Sequence, residues 1–157
     1  MERRVMKKSI MICIILSFCF FAASCFYCLV PSPNNDWRYK LPNNYEIWRV
    51  NSREIVLGEL ESEYSLATVV DEYISEFCYN ERYVCVKRVD VPEDLNEEID
   101  TSNPEYYIVD TAEDIPYGPY DINEFYDKKE ELQITGLSSW IATKPQPEGA
   151  ELQRPTF

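Results

Sequence analysis

The sequence predicts an α+β, mainly β fold: an N-terminal signal or transmembrane helix, then a small antiparallel sheet of about five strands with one C-terminal helix packed on it. Three observations carry that reading. A charge-free apolar stretch runs from Ile10 to Val30, short runs rich in β-branched and aromatic residues recur between Tyr45 and Asp110, and one helical pattern follows Asp121. The chain divides accordingly into a signal peptide or membrane anchor over 1–30, a linker over 31–40, an extracytoplasmic domain over 41–143 with its helix near 121–132, and a disordered tail over 144–157. Roughly 100 residues of fold allow one modest core.

The first 30 residues set the address. As a helix, Ile10–Val30 would span about 31 Å at about 1.5 Å per residue, enough to cross a hydrocarbon core. Arg3, Arg4, Lys7 and Lys8 precede it, so the positive-inside rule places everything after residue 30 on the extracytoplasmic side of a cell membrane. Within the stretch, Phe21-Ala22-Ala23-Ser24-Cys25 sets small residues before a cysteine and resembles a bacterial lipobox. That resemblance implies lipidation of Cys25 as the mature N-terminus, with Ala22 where leucine is usual. The alternative is an uncleaved signal-anchor helix in which Cys13, Cys19, Cys25 and Cys28 are small apolar residues.

Charge and residue inventory narrow the chemistry. The chain carries 15 Lys+Arg against 28 Asp+Glu, and removing the four bases and one acid of the first 30 residues leaves 11 against 27, a formal −16. Such a surface repels phosphate backbones and points away from nucleic acid, toward a cationic protein or peptide partner. There is no histidine, which excludes Ser-His-Asp and Cys-His catalysis and histidine-based zinc sites. The four glycines are isolated and none opens a helix after a strand, so no phosphate-binding loop is expected. No catalytic residue, metal site or cofactor is assigned.

Along the domain, Pro31 to Asp36 reads as a tether and Trp37 to Leu41 as the start of order. Tyr45–Val50 and Arg53–Leu57 read as a hairpin turning at Asn51-Ser52. Val69–Val89 reads as a second hairpin around Asn80-Glu81-Arg82, in the register that pairs Cys78 with Cys85, Tyr79 with Val84, Phe77 with Val86, Glu76 with Lys87 and Ile74 with Val89. Cys78 and Cys85 would then either form a disulfide or remain two half-buried thiols, and the sequence leaves both open. Val91–Pro104 is acidic and poor in apolar residues, a surface excursion in which Asp94, Glu97, Glu98 and Asp100 lack the spacing of a calcium loop. Tyr106–Asp110 supplies another strand, Thr111–Tyr117 a connecting loop, and Tyr117-Gly118-Pro119-Tyr120 a turn. Asp121 and Glu124 form a D-x-x-E capping box, with Ile122, Phe125, Tyr126 and Leu132 as the apolar stripe of the helix. Leu137–Thr143 adds a last strand or packs irregularly.

Taken together, Leu41-Pro42-Asn43-Asn44-Tyr45, the hairpin around Asn80, and Tyr106-Tyr107-Ile108-Val109-Asp110 followed by Tyr117-Gly118-Pro119-Tyr120 and the Phe125 helix resemble the bacterial domain of unknown function 3997 family. The resemblance covers roughly residues 10–135 and implies a small membrane lipoprotein of Gram-positive type, without an activity, ligand or catalytic residue. The expectation is an extracytoplasmic binding or structural domain. Two other readings compete: a cell-envelope hydrolase using paired carboxylates, and an immunity-type protein binding a basic toxin. Two carboxylates about 5 to 10 Å apart in a cleft would favour the hydrolase. The 12 tyrosines are expected mostly in the core.

Overall fold

Apolar residues at alternate positions make each strand two-faced, and in this chain both faces of one sheet find cover. The computed structural model describes residues 36–152; the expected N-terminal segment with Cys25, residues 31–35 of the expected 31–40 linker, and residues from Gln153 onward lie outside the described residues, whereas residues 37–40 of that linker form a strand. The first sheet has the order β10 (Glu151–Leu152), β1 (Trp37–Lys40), β2 (Tyr45–Asn51), β3 (Glu54–Ser62), β4 (Ser65–Val70). The second has the order β8 (Ile115–Tyr120), β7 (Glu105–Asp110), β6 (Tyr83–Arg88), β5 (Ile74–Tyr79), β9 (Ile141–Ala142). All pairings are antiparallel, and one helix, α1 (Ile122–Glu131), follows β8.

Two five-stranded sheets therefore replace the expected single sheet, with the mainly β character and the C-terminal helix as expected. The run Val69–Val89 is divided: Val69 and Val70 close β4 in the first sheet, and the chain crosses at Asp71–Tyr73 to open β5 in the second. Alternation alone could not reveal the crossing, because the inner faces of both sheets are equally apolar. Residues 115–120, read as loop and turn, form β8. Pro116 and Pro119 are tolerated there because β8 is an edge strand bonded only to β7. The expected tail contributes β10, pairing Trp37 with Leu152 and Arg38 with Glu151.

The layers follow from side-chain parity. Ile47, Ile55 and Leu57 of the first sheet meet Phe77, Val84, Val86 and Val109 of the second in one buried cluster. The alternate residues of the second sheet, Cys78, Cys85 and Ile108, face the other way and are covered by Phe125 and Ile134. The result is sheet, sheet and helix in three layers. Each large apolar side chain buried contributes about 1.5–3 kcal/mol. The hairpin β5–β6 has the expected register from Cys78–Cys85 to Glu76–Lys87. Beyond it a bulge at Ser75 puts Ile74 opposite Arg88, and Tyr73 exchanges main-chain bonds with Val89 at 3.0 and 2.9 Å in place of the expected Ile74–Val89 pair. The β2–β3 turn falls at Ser52-Arg53 rather than Asn51-Ser52, because the Arg49/Asn51 irregularity extends β2 and Asn51 Oδ1 accepts from Arg53 N at 2.8 Å.

The capping box of α1 is complete: Asp121 accepts from Asn123 N and Glu124 N, and Glu124 accepts from Asp121 N at 3.0 Å. Its apolar stripe is narrower than expected. Phe125 is buried beside Tyr106 and Trp140, whereas Ile122 and Tyr126 stay 42% and 56% exposed, since a ten-residue helix meets β7 and β8 along one line.

A polar hub joins the sheets at one end. Asn43 and Asn44, both at positive φ (56° and 65°), turn β1 into β2, a conformation Asn tolerates better than most residues. Asn43 Nδ2 then donates to Glu81 O at 3.1 Å and to Thr111 Oγ1 at 2.9 Å, reaching the β5–β6 and β7–β8 turns at once. Thr111 Oγ1 donates to Arg82 O at 2.6 Å, and the Arg82 guanidinium grips the buried Asp110 carboxylate at 2.6–3.0 Å. Tyr45 OH donates to Asp114 Oδ1 at 3.1 Å; burial first, then this bond, pushes Tyr45 up to about 12.

The Arg82 hydrogen bonds hold Asp110 below the usual carboxylate range. A depressed folded pKa gives stability that is fully present above the unfolded value, near about 4, and is lost as pH falls through the folded one. Asp110→Ala is expected to lower stability by about 1–2 kcal/mol at neutral pH, because the half-exposed Arg82 guanidinium left behind returns to water. In urea titrations that gap should narrow below about pH 4, where the wild type loses its own advantage.

Candidate functional site

The hub occupies one end of the strands; the opposite end carries an open groove of about 610 Å³. Its shape begins with Arg53 at the tip of the β2–β3 hairpin. The guanidinium reaches into the acidic 91–104 excursion and donates to four main-chain carbonyls: Pro92 O at 2.6 Å, Glu97 O at 2.9 Å, Asp94 O at 3.3 Å and Leu95 O at 3.5 Å. A cation surrounded by carbonyl dipoles folds the segment about itself. Asp94 accepts from Asn96 N and Asp100 from Ser102 N, both at 2.9 Å, so these carboxylates bind their own loop, and those bonds hold both below their ordinary values.

The other acids of the excursion face water. Glu97 and Glu98 line the exposed rim, and Leu95 beside them is 79% exposed. Tyr73 is buried at the floor, with Lys144 Nζ 5.1 Å from its ring centroid. Thr143 fixes the far wall by donating from Oγ1 to Ile74 O and Ser75 O at 2.9 and 3.0 Å. Glu76, also on the groove, is held by Lys87 at 2.7 Å. A carboxylate committed to a salt bridge is poorly placed as half of an acid/base pair. The groove thus sets Glu97 and Glu98 on an exposed rim above a floor made by Tyr73 with Lys144 over its ring.

Cys78 and Cys85 lie directly opposite each other, as expected, buried between the second sheet and α1, and both are free thiols. Tyr79 bonds Ser138 through its own N and O at 3.0 and 2.9 Å, so its main chain points away from β6 and that of Cys78 points toward it. The cysteines therefore occupy the wider, hydrogen-bonded type of pair, with Cα atoms about 5.5 Å apart. The thiol–thiol hydrogen bond lowers Cys78 and, together with burial, pushes Cys85 up.

Cys25 lies outside the described residues. Among the described residues no group of three or more Cys, Asp or Glu side chains is placed to hold a metal ion, and no helix is long and apolar enough to cross a membrane. Tyr45 and Tyr73 are core residues and Tyr64 is 67% exposed, so the tyrosines serve packing more than a flat recognition surface. Sequence reasoning missed the roles of Arg53 and Arg82. Their only sequence signal was position, Arg82 within a hairpin turn and Arg53 directly after one.

Native protein is expected to react slowly with maleimide at Cys78 and Cys85, and denatured protein to label at both, read by peptide mass spectrometry. Resistance to labelling after denaturation, relieved only by a reductant, would show a disulfide instead.

No curated protein and no solved structure matches the chain. The family described as "Protein of unknown function (DUF3997)" matches residues 42–138, from the Asn43-Asn44 turn through the helix and Ile134. That span is more than half of the 157 residues and contains the hub, the acidic clasp and α1, and the chain belongs to the DUF3997 family.

Proposed function

We propose that this chain is a membrane-anchored lipoprotein whose extracytoplasmic domain binds a cationic protein or peptide. The observation that carries the binding half is the Arg53 clasp: four carbonyl contacts fix a loop whose Glu97, Glu98 and Leu95 face solvent. A loop already ordered before binding loses less conformational entropy on contact, so its carboxylates act as a fixed negative surface. The formal −16 of the exported part adds long-range attraction for a basic partner. Anchoring is supported by the Ile10–Val30 stretch behind four bases and by the small residues before Cys25.

Expression in a Gram-positive host tests the anchor. Wild type is expected in the membrane fraction with a mass that begins at Cys25 plus acyl chains, and Cys25→Ala should lose that species. An unprocessed chain in both strains would replace lipidation with a signal-anchor helix.

Binding is tested with full-length protein in non-ionic detergent and a labelled lysine-only peptide. Affinity is expected to fall by about tenfold or more between low and physiological salt, as surface attraction is screened. Absence of binding at low salt would overturn the basic-partner reading.

A further inference from the structure

Four strand edges end the two sheets, and they are not alike. β9 and β10 are two residues long, and β8 carries Pro116 and Pro119, which have no N–H to donate. These are ordinary defences against strand addition. β4, Ser65-Leu66-Ala67-Thr68-Val69-Val70, has neither: six residues, no proline, no charge and a composition that favours extended structure, with one bulge at Val69 that leaves Leu66–Thr68 in regular register with β3. Among the described residues no main-chain hydrogen bond reaches its outer edge. β4 is also firmly seated on its inner side. Gly58 of β3 lets the Ala67 carbonyl come so close that a Cβ at position 58 would strike it.

The surroundings of this edge are acidic at both ends. Glu61 and Glu63 precede β4, Asp71 and Glu72 follow it, and all four are exposed. Asp71 shares Arg88 at 2.9 Å, and Glu61 accepts from Ser65 Oγ at 2.7 Å. A second copy of the chain is the wrong occupant. Antiparallel β4–β4 pairing would set Glu61 and Glu63 of one copy beside Asp71 and Glu72 of the other, and parallel pairing would set like residues together; both juxtapose like charges. A basic segment would instead set opposite charges beside the exposed Glu63 and Glu72, whose main-chain carbonyls Arg38 and Arg88 already hold.

We propose that β4 is a strand-addition site for an extended segment of a partner protein, with lysine or arginine on both sides of a short β-branched stretch. Main-chain hydrogen bonds to β4 supply the pairing and the flanking carboxylates select for basic ends. This rests on the basic-partner reading and adds a second surface for it, apart from the acidic excursion.

The test uses full-length protein in non-ionic detergent and a synthetic peptide of alternating threonine and valine with two lysines at each end. A control peptide of equal charge carries N-methyl groups on alternate main-chain nitrogens. The parent peptide is expected to slow amide hydrogen exchange across 65–70, to bind about tenfold more tightly than the methylated control, and to weaken with the exposed pair Glu63→Lys and Glu72→Lys. Equal binding of both peptides, without protection of 65–70, would overturn the strand-addition site while leaving the basic-partner reading intact. Failure of the parent peptide where the lysine-only peptide binds would do the same. Failure of both peptides would remove the basic-partner reading, and the site with it.

Discussion

A carboxylate almost sealed from water remains charged only if something nearby replaces the hydration it has lost. Asp110 meets that requirement through Arg82, whose guanidinium donates three bonds of 2.6–3.0 Å, and through Ala112 N at 3.2 Å. Much of the architecture hangs on that grip. It fixes the turn between β5 and β6, where Arg82 O receives Thr111 from the β7–β8 side. Thr111 in turn receives Asn43 from the first sheet, so three turns on two sheets share one network. Apolar contact between the sheets is non-directional and would tolerate sliding, whereas this network allows one alignment. The resulting frame holds β2 and β5 in place, and they bring Arg53 and Tyr73 to the groove at the other end.

The second sheet has no face to spare. Its inner face meets the first sheet and its outer face meets α1, so Cys78, Cys85 and Ile108 are as buried as Phe77, Val84 and Val109 on the other side. The first sheet buries its inner face in the same core. Beyond the outer face of the first sheet, interaction surfaces then fall to turns, rims and edges. This is where the acidic excursion, the exposed Leu95 and the bare edge of β4 are found.

Local features could be read directly from the sequence. The register of β5 against β6 from Glu76 to Tyr79 follows from a short turn and four complementary pairs, and the start of α1 follows from Asp121 and Glu124, all within a few residues of one another. What could not be read is relational. Val69-Val70 and Ile74 look alike by composition, yet one belongs to each sheet, because the distinction lies in which neighbours a strand finds rather than in its own residues. β8 was hidden by two prolines that matter only to an interior strand. The groove was half legible: the acidic excursion was evident, but its clasp depends on one arginine 39 residues before Pro92. The pairing of Cys78 with Cys85 was legible, whereas their full burial beneath α1 was not.

The place where the domain begins has a mechanical meaning. Trp37 opens β1, is 1% exposed, and lies between β2 on one side and β10 on the other. Tension transmitted through the residues before Trp37 enters the fold at an interior strand. Two hydrogen-bonded ladders and a buried indole share the load, so a pull from that end meets the core instead of fraying an edge.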